Sequence, residues 1–181
     1  TAFRLDALSA LCTALPGSGV THLGLDNNQI AGVDDMGGGS FTLDAIRLLC
    51  ECLPRSSVTH LSLDESAICG VTSMGYGTFT LEGIFAICEL LAQSRITSIS
   101  LAENGMGCDG AFALIDTFAD MPNLCTINLA KNNFDGDVAL DLARAFASGP
   151  NARSINLSGN KCDGVPRETV RRAAQDIEVD L

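Results

Sequence analysis

Apolar and polar residues alternate in a short stretch that recurs along the chain. It reads VTHLGLD at Val20–Asp26 and VTHLSLD at Val58–Asp64, then more loosely ITSISLA at Ile96–Ala102, LCTINLA at Leu124–Ala130 and ARSINLS at Ala152–Ser158. A shorter copy follows at Ile177-x-Val179-x-Leu181. Alternation with a period of two predicts a half-buried strand in each copy. Leu23/Leu25, Leu61/Leu63, Ile99/Leu101, Ile127/Leu129 and Ile155/Leu157 then share the inward face. The last leucines of successive copies are separated by 38, 38, 28, 28 and 24 residues. A period in that range signals stacked repeats.

Three residues after each leucine stands Asn28, Ser66, Asn104, Asn132 or Asn160, and two further on Ile30, Ile68, Met106, Phe134 or Cys162. Between the strands the apolar period becomes helical, over Phe3–Leu15, Leu43–Leu53, Leu81–Ala92, Ala111–Met121, Val138–Ala147 and roughly Glu168–Asp176. Neither a lone strand nor a lone helix buries its apolar face, so one of each per turn predicts an α/β solenoid. The expected organisation is a single domain over 1–181. Six parallel strands, near 20–25, 58–63, 96–101, 124–129, 152–157 and 177–181, line the concave side, with helices on the convex side.

The motif Leu23-x-Leu25-x-x-Asn28-x-Ile30, followed by a helix with its own leucines, resembles a leucine-rich repeat. The 28-residue spacing and full helix resemble the ribonuclease-inhibitor subclass. That resemblance implies a horseshoe in which the asparagines stack as a ladder, pairing backbone groups in the turn after each strand. Ser66 departs from the pattern, which predicts a weak point in the second turn. Repeats one and two are ten residues longer than the family length, and the excess falls between strand and helix, in Gly32–Leu43 and Gly70–Leu81. Thr42 and Thr80 read as helix N-caps, with Phe41/Ile46 and Phe79/Ile84 as hydrophobic staples. Loops of this kind are similar to those in extended leucine-rich repeats of unicellular eukaryotes and algae. Their equal length and shared Met-Gly-x-Gly-x-Phe-Thr pattern (Met36–Thr42, Met74–Thr80) predict that they stack into one ledge.

Composition narrows the function classes. The net charge is −11, with 14 acidic and 4 basic side chains in residues 1–120. That balance repels phosphate backbones and argues against nucleic acid as a partner. No apolar run approaches the ~20 residues of a membrane-spanning helix, and no basic-then-apolar start reads as a signal peptide. The first residue is Thr1 rather than Met, which leaves organelle import with a cleaved presequence open. Solenoid ends expose core, so a partner or further chain is expected to cover them. Eight cysteines suggest disulfides or zinc, yet Cys12, Cys50 and Cys88 lie 38 apart, one per stacked helix. Helix axes sit about 8–10 Å apart, too far for a disulfide's Cα separation of about 7 Å. Cys50 and Cys52 point to different sides of one helix. Eight reduced, metal-free thiols are expected, which places the protein in the cytoplasm or another reducing compartment.

Gly37–Gly39 lacks the Lys-Ser/Thr of a phosphate loop. Asp34-Asp35 suggests calcium, but the second loop has Thr72-Ser73 there, so turn chemistry is the better account. The only histidines, His22 and His60, occupy equivalent outward positions beside Asp26 and Asp64. No nucleophile aligns with them, so catalytic, cofactor-binding and metal residues are all assigned as none. The concave partner-binding candidates are His22, Asp26, His60, Asp64, Asn128 and Asn156; those on the inserted loops are Asp34, Asp35 and Tyr76. Asn156-Leu157-Ser158 matches the glycosylation triplet but lies within a strand. The function expected is a non-enzymatic protein–protein interaction or scaffolding module, as a subunit of a larger assembly. The alternative is a regulator of a partner enzyme such as a small GTPase, for which no arginine finger is evident.

Overall fold

The computed structural model describes residues 5–174 and 177–181. The expected first two positions of the first helix (3–4) and last two of the final helix (175–176) lie outside them. Six strands alternate with six helices: α1 (Leu5–Ala14), β1 (His22–Gly24), α2 (Asp44–Cys52), β2 (His60–Ser62), α3 (Glu82–Gln93), β3 (Ser98–Ser100), α4 (Gly107–Thr117), β4 (Thr126–Asn128), α5 (Gly136–Ala147), β5 (Ser154–Asn156), α6 (Arg167–Ala173) and β6 (Glu178–Asp180). The strands form one parallel sheet in chain order. Equivalent repeat positions pair directly: His22 with His60, His60 with Ser98, Ser98 with Thr126 and Thr126 with Ser154.

Each strand is shorter than the alternation suggests. The chain leaves extended backbone soon after its second leucine, at Asn27 with φ 52°. Pairing continues only as single bonds, Leu25 N–H to Ser62 C=O at 2.9 Å and Asn27 N–H to Asp64 C=O at 2.8 Å. Helix starts also shift. α4 begins at Gly107 rather than Ala111, because Gly107 N–H donates to Asn132 C=O at 2.9 Å and no inserted loop delays the helix. Leu43 and Leu81 occupy the N-cap positions of α2 and α3, in place of Thr42 and Thr80. The threonines still serve the helix ends from one residue earlier, accepting Asp44 N–H at 3.2 Å and Glu82 N–H at 3.3 Å. α5 has a side-chain cap, in which Asp135 accepts Val138 N–H at 2.9 Å.

The core lies between sheet and helices. Leu61, Ile99, Ile127 and Ile155 from the strands face Leu49, Ile87, Leu114 and Leu142 from the helices, all buried. Each such side chain contributes about 1.5–3 kcal/mol by leaving water. Phe118, just past the end of α4, and Phe146 on α5 meet edge to face at 5.3 Å. Among the described residues no helix is long and apolar enough to cross a membrane.

Asn104, Asn132 and Asn160 form the ladder, and each reaches back to the preceding repeat. Asn104 Oδ1 accepts Ser66 N–H and Ile68 N–H at 3.1 Å each, while its Nδ2 donates to Leu63 C=O at 2.9 Å and to Ala102 C=O at 3.0 Å. Asn132 repeats this on Asn104 and Met106, and Asn160 on Asn132 and Phe134. Ser66 is too short for it. Its hydroxyl stops at Asp64 C=O, 3.1 Å away. The weak point expected in the second turn therefore falls in the first, since Ser66 leaves Asn28 N–H, Ile30 N–H and Leu25 C=O without a ladder partner.

Candidate protein-binding surfaces

Strand register brings the concave candidates into two columns. His22 and His60 stack as parallel rings, 4.0 Å between centroids and 11° apart in plane. Each Nδ1 lies 2.9 Å from the hydroxyl of the preceding threonine, Thr21 or Thr59. Both rings are exposed. Asp26 and Asp64 occupy the second column, where internal bonds engage them. Asp26 Oδ1 accepts Ser62 Oγ–H and, at 2.9 Å, Asp64 N–H. Asp64 Oδ1 accepts Ser100 Oγ–H at 2.6 Å and Ala102 N–H at 2.8 Å. Asn128 continues the series, donating to Ser100 Oγ at 2.8 Å and accepting Ala130 N–H at 3.1 Å. Asn156 accepts Ser158 N–H at 2.9 Å. Of the six concave candidates, the two histidines thus keep the freest faces. Among the described residues no group of three His, Cys, Asp or Glu side chains could hold a metal ion.

Burial pushes the Asp64 carboxyl above its ordinary pKa, against the pull of Ser100 and Ala102. A carboxyl raised on folding adds stability below its unfolded pKa of about 3.9 and loses that contribution as pH rises through the folded value. Asp64→Asn keeps the accepting oxygen and removes the charge. It is expected to match or slightly exceed the parent at pH 7, by less than about 1 kcal/mol, with that advantage gone below about pH 4. Urea midpoints at the two pH values check this. A clear loss of stability at pH 7 would refute it.

The inserted loops make a second surface. Each closes on itself through an antiparallel bridge, Val33 to Gly39 in the first and Val71 to Gly77 in the second. Asp34 builds its loop from within, its Oδ1 accepting Met36 N–H at 3.0 Å and Gly38 N–H at 2.8 Å. Thr72 plays the same part in the second loop, accepting Tyr76 N–H at 3.2 Å. The loops are stacked in contact. A Cβ on Gly37 would lie 2.7 Å from Tyr76 Cβ and from Gly77 N, so glycine is what admits the second loop there. Met36 and Met74 stand 79% and 76% exposed, with Tyr76 at 49%. Beside them lies a cleft of about 280 Å³, lined by Asp34, Asp35, Glu65, Thr72, Met74 and Glu103 among others. Glu103 is paired with Lys131 at 2.6 Å.

Asp34, Asp35 and Tyr76 were expected on this ledge from the sequence; both methionines and the two glutamates were not. A signal existed for Met36 and Met74, which sit at matched loop positions where no helical period calls for an apolar residue. Glu65 and Glu103 are brought there by the turn after the strand, which alternation does not describe. Phe85 on α3 and Phe112 on α4 are also exposed, on the helical side.

No family model and no curated protein matches the chain. Solved structures do. It resembles the tropomodulin C-terminal domain of Caenorhabditis elegans at 16% identity and TM-score 0.56, covering 75% of this chain and 79% of that one. It resembles the leiomodin-1 actin-binding site 2 at 16% identity and TM-score 0.61, over 94% and 87%. The leucine-rich-repeat-containing protein LegL7 of Legionella pneumophila gives 19% identity and TM-score 0.52, over 97% and 60%. The fold is a leucine-rich-repeat solenoid.

Proposed function

We propose that this chain is a single-domain, non-enzymatic protein-binding module, a scaffold or subunit that holds a partner on the ledge. The observation that carries this reading is the paired loops, which hold Met36, Met74 and Tyr76 in solvent above an acidic cleft. Exposed methionine and tyrosine next to each other mark interaction surfaces. The acidic rim selects a segment with apolar side chains flanked by Lys or Arg. The helix in each 28-residue repeat supports placement in the ribonuclease-inhibitor subclass, and the loop motif supports a relation to extended repeats of unicellular eukaryotes and algae. Eight free cysteines fit work in a reducing compartment. Regulation of a small GTPase is the weaker alternative, since no arginine among the described residues stands in a strand-to-helix loop.

The test is affinity capture with the parent chain, a Met36→Lys/Met74→Lys/Tyr76→Ala variant and a His22→Ala/His60→Ala variant. Actin is the first defined probe, because one structure of similar fold is described as an actin-binding site. The ledge variant is expected to weaken partner binding at least about 30-fold, the effect of losing about 2 kcal/mol at a hot spot. Binding is also expected to weaken with added salt. A partner that survives the ledge changes and is lost with the histidine changes would move the site to the concave face.

A further inference from the structure

The 38-residue cysteine column is a poor guide to which sulfurs meet. Cys50 points toward α3, the helix of the second repeat, donating to Ala86 C=O at 3.4 Å. Cys52, two residues on, points the other way. Its S–H donates to Cys12 Sγ across the α1–α2 seam at a sulfur–sulfur distance of 2.9 Å. Cys12 in turn reaches Leu48 C=O at 3.7 Å. Among the described residues this is the one hydrogen bond between two cysteine sulfurs. A disulfide needs about 2.05 Å, so the sulfurs must close by less than about 1 Å, within reach of small side-chain rotations. The pair is not sealed off. A surface groove of about 340 Å³ ends on both cysteines and is lined by Ser9, Thr13, Glu51 and Arg55.

We propose that Cys12 and Cys52 form a reversible redox couple, closing to a disulfide by exchange with a low-molecular-weight disulfide that enters the groove between α1 and α2. Cys12 is the attacking sulfur, because it accepts the Cys52 S–H and so already faces the thiol that resolves it. Its thiolate attacks one sulfur of RSSR, giving Cys12–S–S–R and releasing RS⁻. Cys52 then loses its proton to solvent and attacks Cys12 Sγ, forming the intramolecular disulfide and expelling the second RS⁻. Two protein thiols are oxidised by two electrons, RSSR is reduced to two thiols, and the two protons end on those products. Burial, and next the Cys12 neighbour, push the Cys52 thiol up to about 12. The closing step is therefore slow at neutral pH and faster in alkaline buffer. Closure ties α1, which packs chiefly on α2, to the body of the solenoid.

The experiment uses the reduced chain, oxidised glutathione as the probe at pH 7 and 8.5, and peptide mapping after alkylation. Expected are loss of two hydrogens from the intact mass and six titratable thiols in place of eight. A single cross-linked peptide pair containing Cys12 and Cys52 should appear, reversed by dithiothreitol and formed faster at pH 8.5. The melting temperature of the closed form should rise by about 5–10 °C. Cys50→Ser should keep the cross-link, while Cys12→Ser and Cys52→Ser should each lose it with unchanged helicity. Mapping of the parent chain decides the matter even if a variant folds poorly. Eight thiols persisting at pH 8.5, a stable glutathione adduct on Cys12 without closure, or cross-links scattered among other cysteines would each overturn the proposal.

Discussion

Asn104→Ala is expected to lower the stability of the solenoid by about 3–5 kcal/mol, a drop of roughly 10 °C in melting temperature. The side chain is fully buried and makes four bonds to backbone groups of two successive turns. Alanine leaves the Ser66 and Ile68 N–H groups and the Leu63 C=O in the interior with no partner, while Ala102 C=O keeps the Glu65 N–H at 3.0 Å. Each buried orphan costs about 1–3 kcal/mol, part of which local relaxation or an entering water recovers. Asn28→Ala is the matched control. Asn28 is exposed and its one side-chain bond runs to Asp26 C=O at 2.9 Å, so a loss below about 0.5 kcal/mol is expected there. Ser66→Asn should act in the opposite direction. It supplies the missing reach to the first turn and is expected to gain about 1 kcal/mol. Urea melts followed by circular dichroism measure all three. An Asn104→Ala loss below about 1 kcal/mol would falsify the view that the ladder holds the turns together.

Gly77→Ala has the next largest expected effect, and it falls on the ledge. Gly77 has φ 119°, a backbone conformation that L-residues rarely adopt, and a Cβ there would run into the Gly70 carbonyl across the bridge to Val71. Strain and overpacking together predict a cost of about 2–4 kcal/mol, borne mainly by the second loop. That loop carries Tyr76 and Met74, and the first loop rests on it through Gly37. The variant is therefore expected to lose partner capture while its helices stay intact. Hydrogen exchange should speed up at the Thr72, Gly75 and Thr78 amides, whose bonds are 2.9–3.0 Å in the parent. Gly75→Ala is the control, with φ 84° but open space around the added methyl. It should cost only about 1 kcal/mol of backbone strain. Unchanged exchange in Gly77→Ala would show that the loop tolerates a rearranged bridge.

Much of the architecture was legible in the chain itself. Equal 38-residue steps place His22 beside His60, and Leu61 beneath Leu23, because a parallel ladder in register pairs equivalent residues of successive repeats. The same phase located both insertions, and their matched glycines and methionines foretold that they would lie together. The binding surface was half legible. Alternation says which face a side chain occupies and is silent on whether a neighbouring backbone already engages it. Asp26, Asp64 and Asp34 thus read as free carboxylates, yet they hold the adjoining strand or their own loop by hydrogen bonds.

What the sequence determined by itself is the order of the turns: strand, asparagine bend and helix, stacked in register, since a periodic apolar pattern can bury itself only by stacking. The tertiary structure alone decided the sideways meetings. Cys52 sits 40 residues from Cys12, off the repeat period, and touches it because α1 and α2 pack so that the end of one helix faces the other's last turn. Ser66 fails the first repeat rather than its own because the asparagine amides point back along the stack. Such offsets arise from how helices settle against one another and from the left-handed bends at Asn27 and Glu65, each a sum of many small packing terms that no single residue announces.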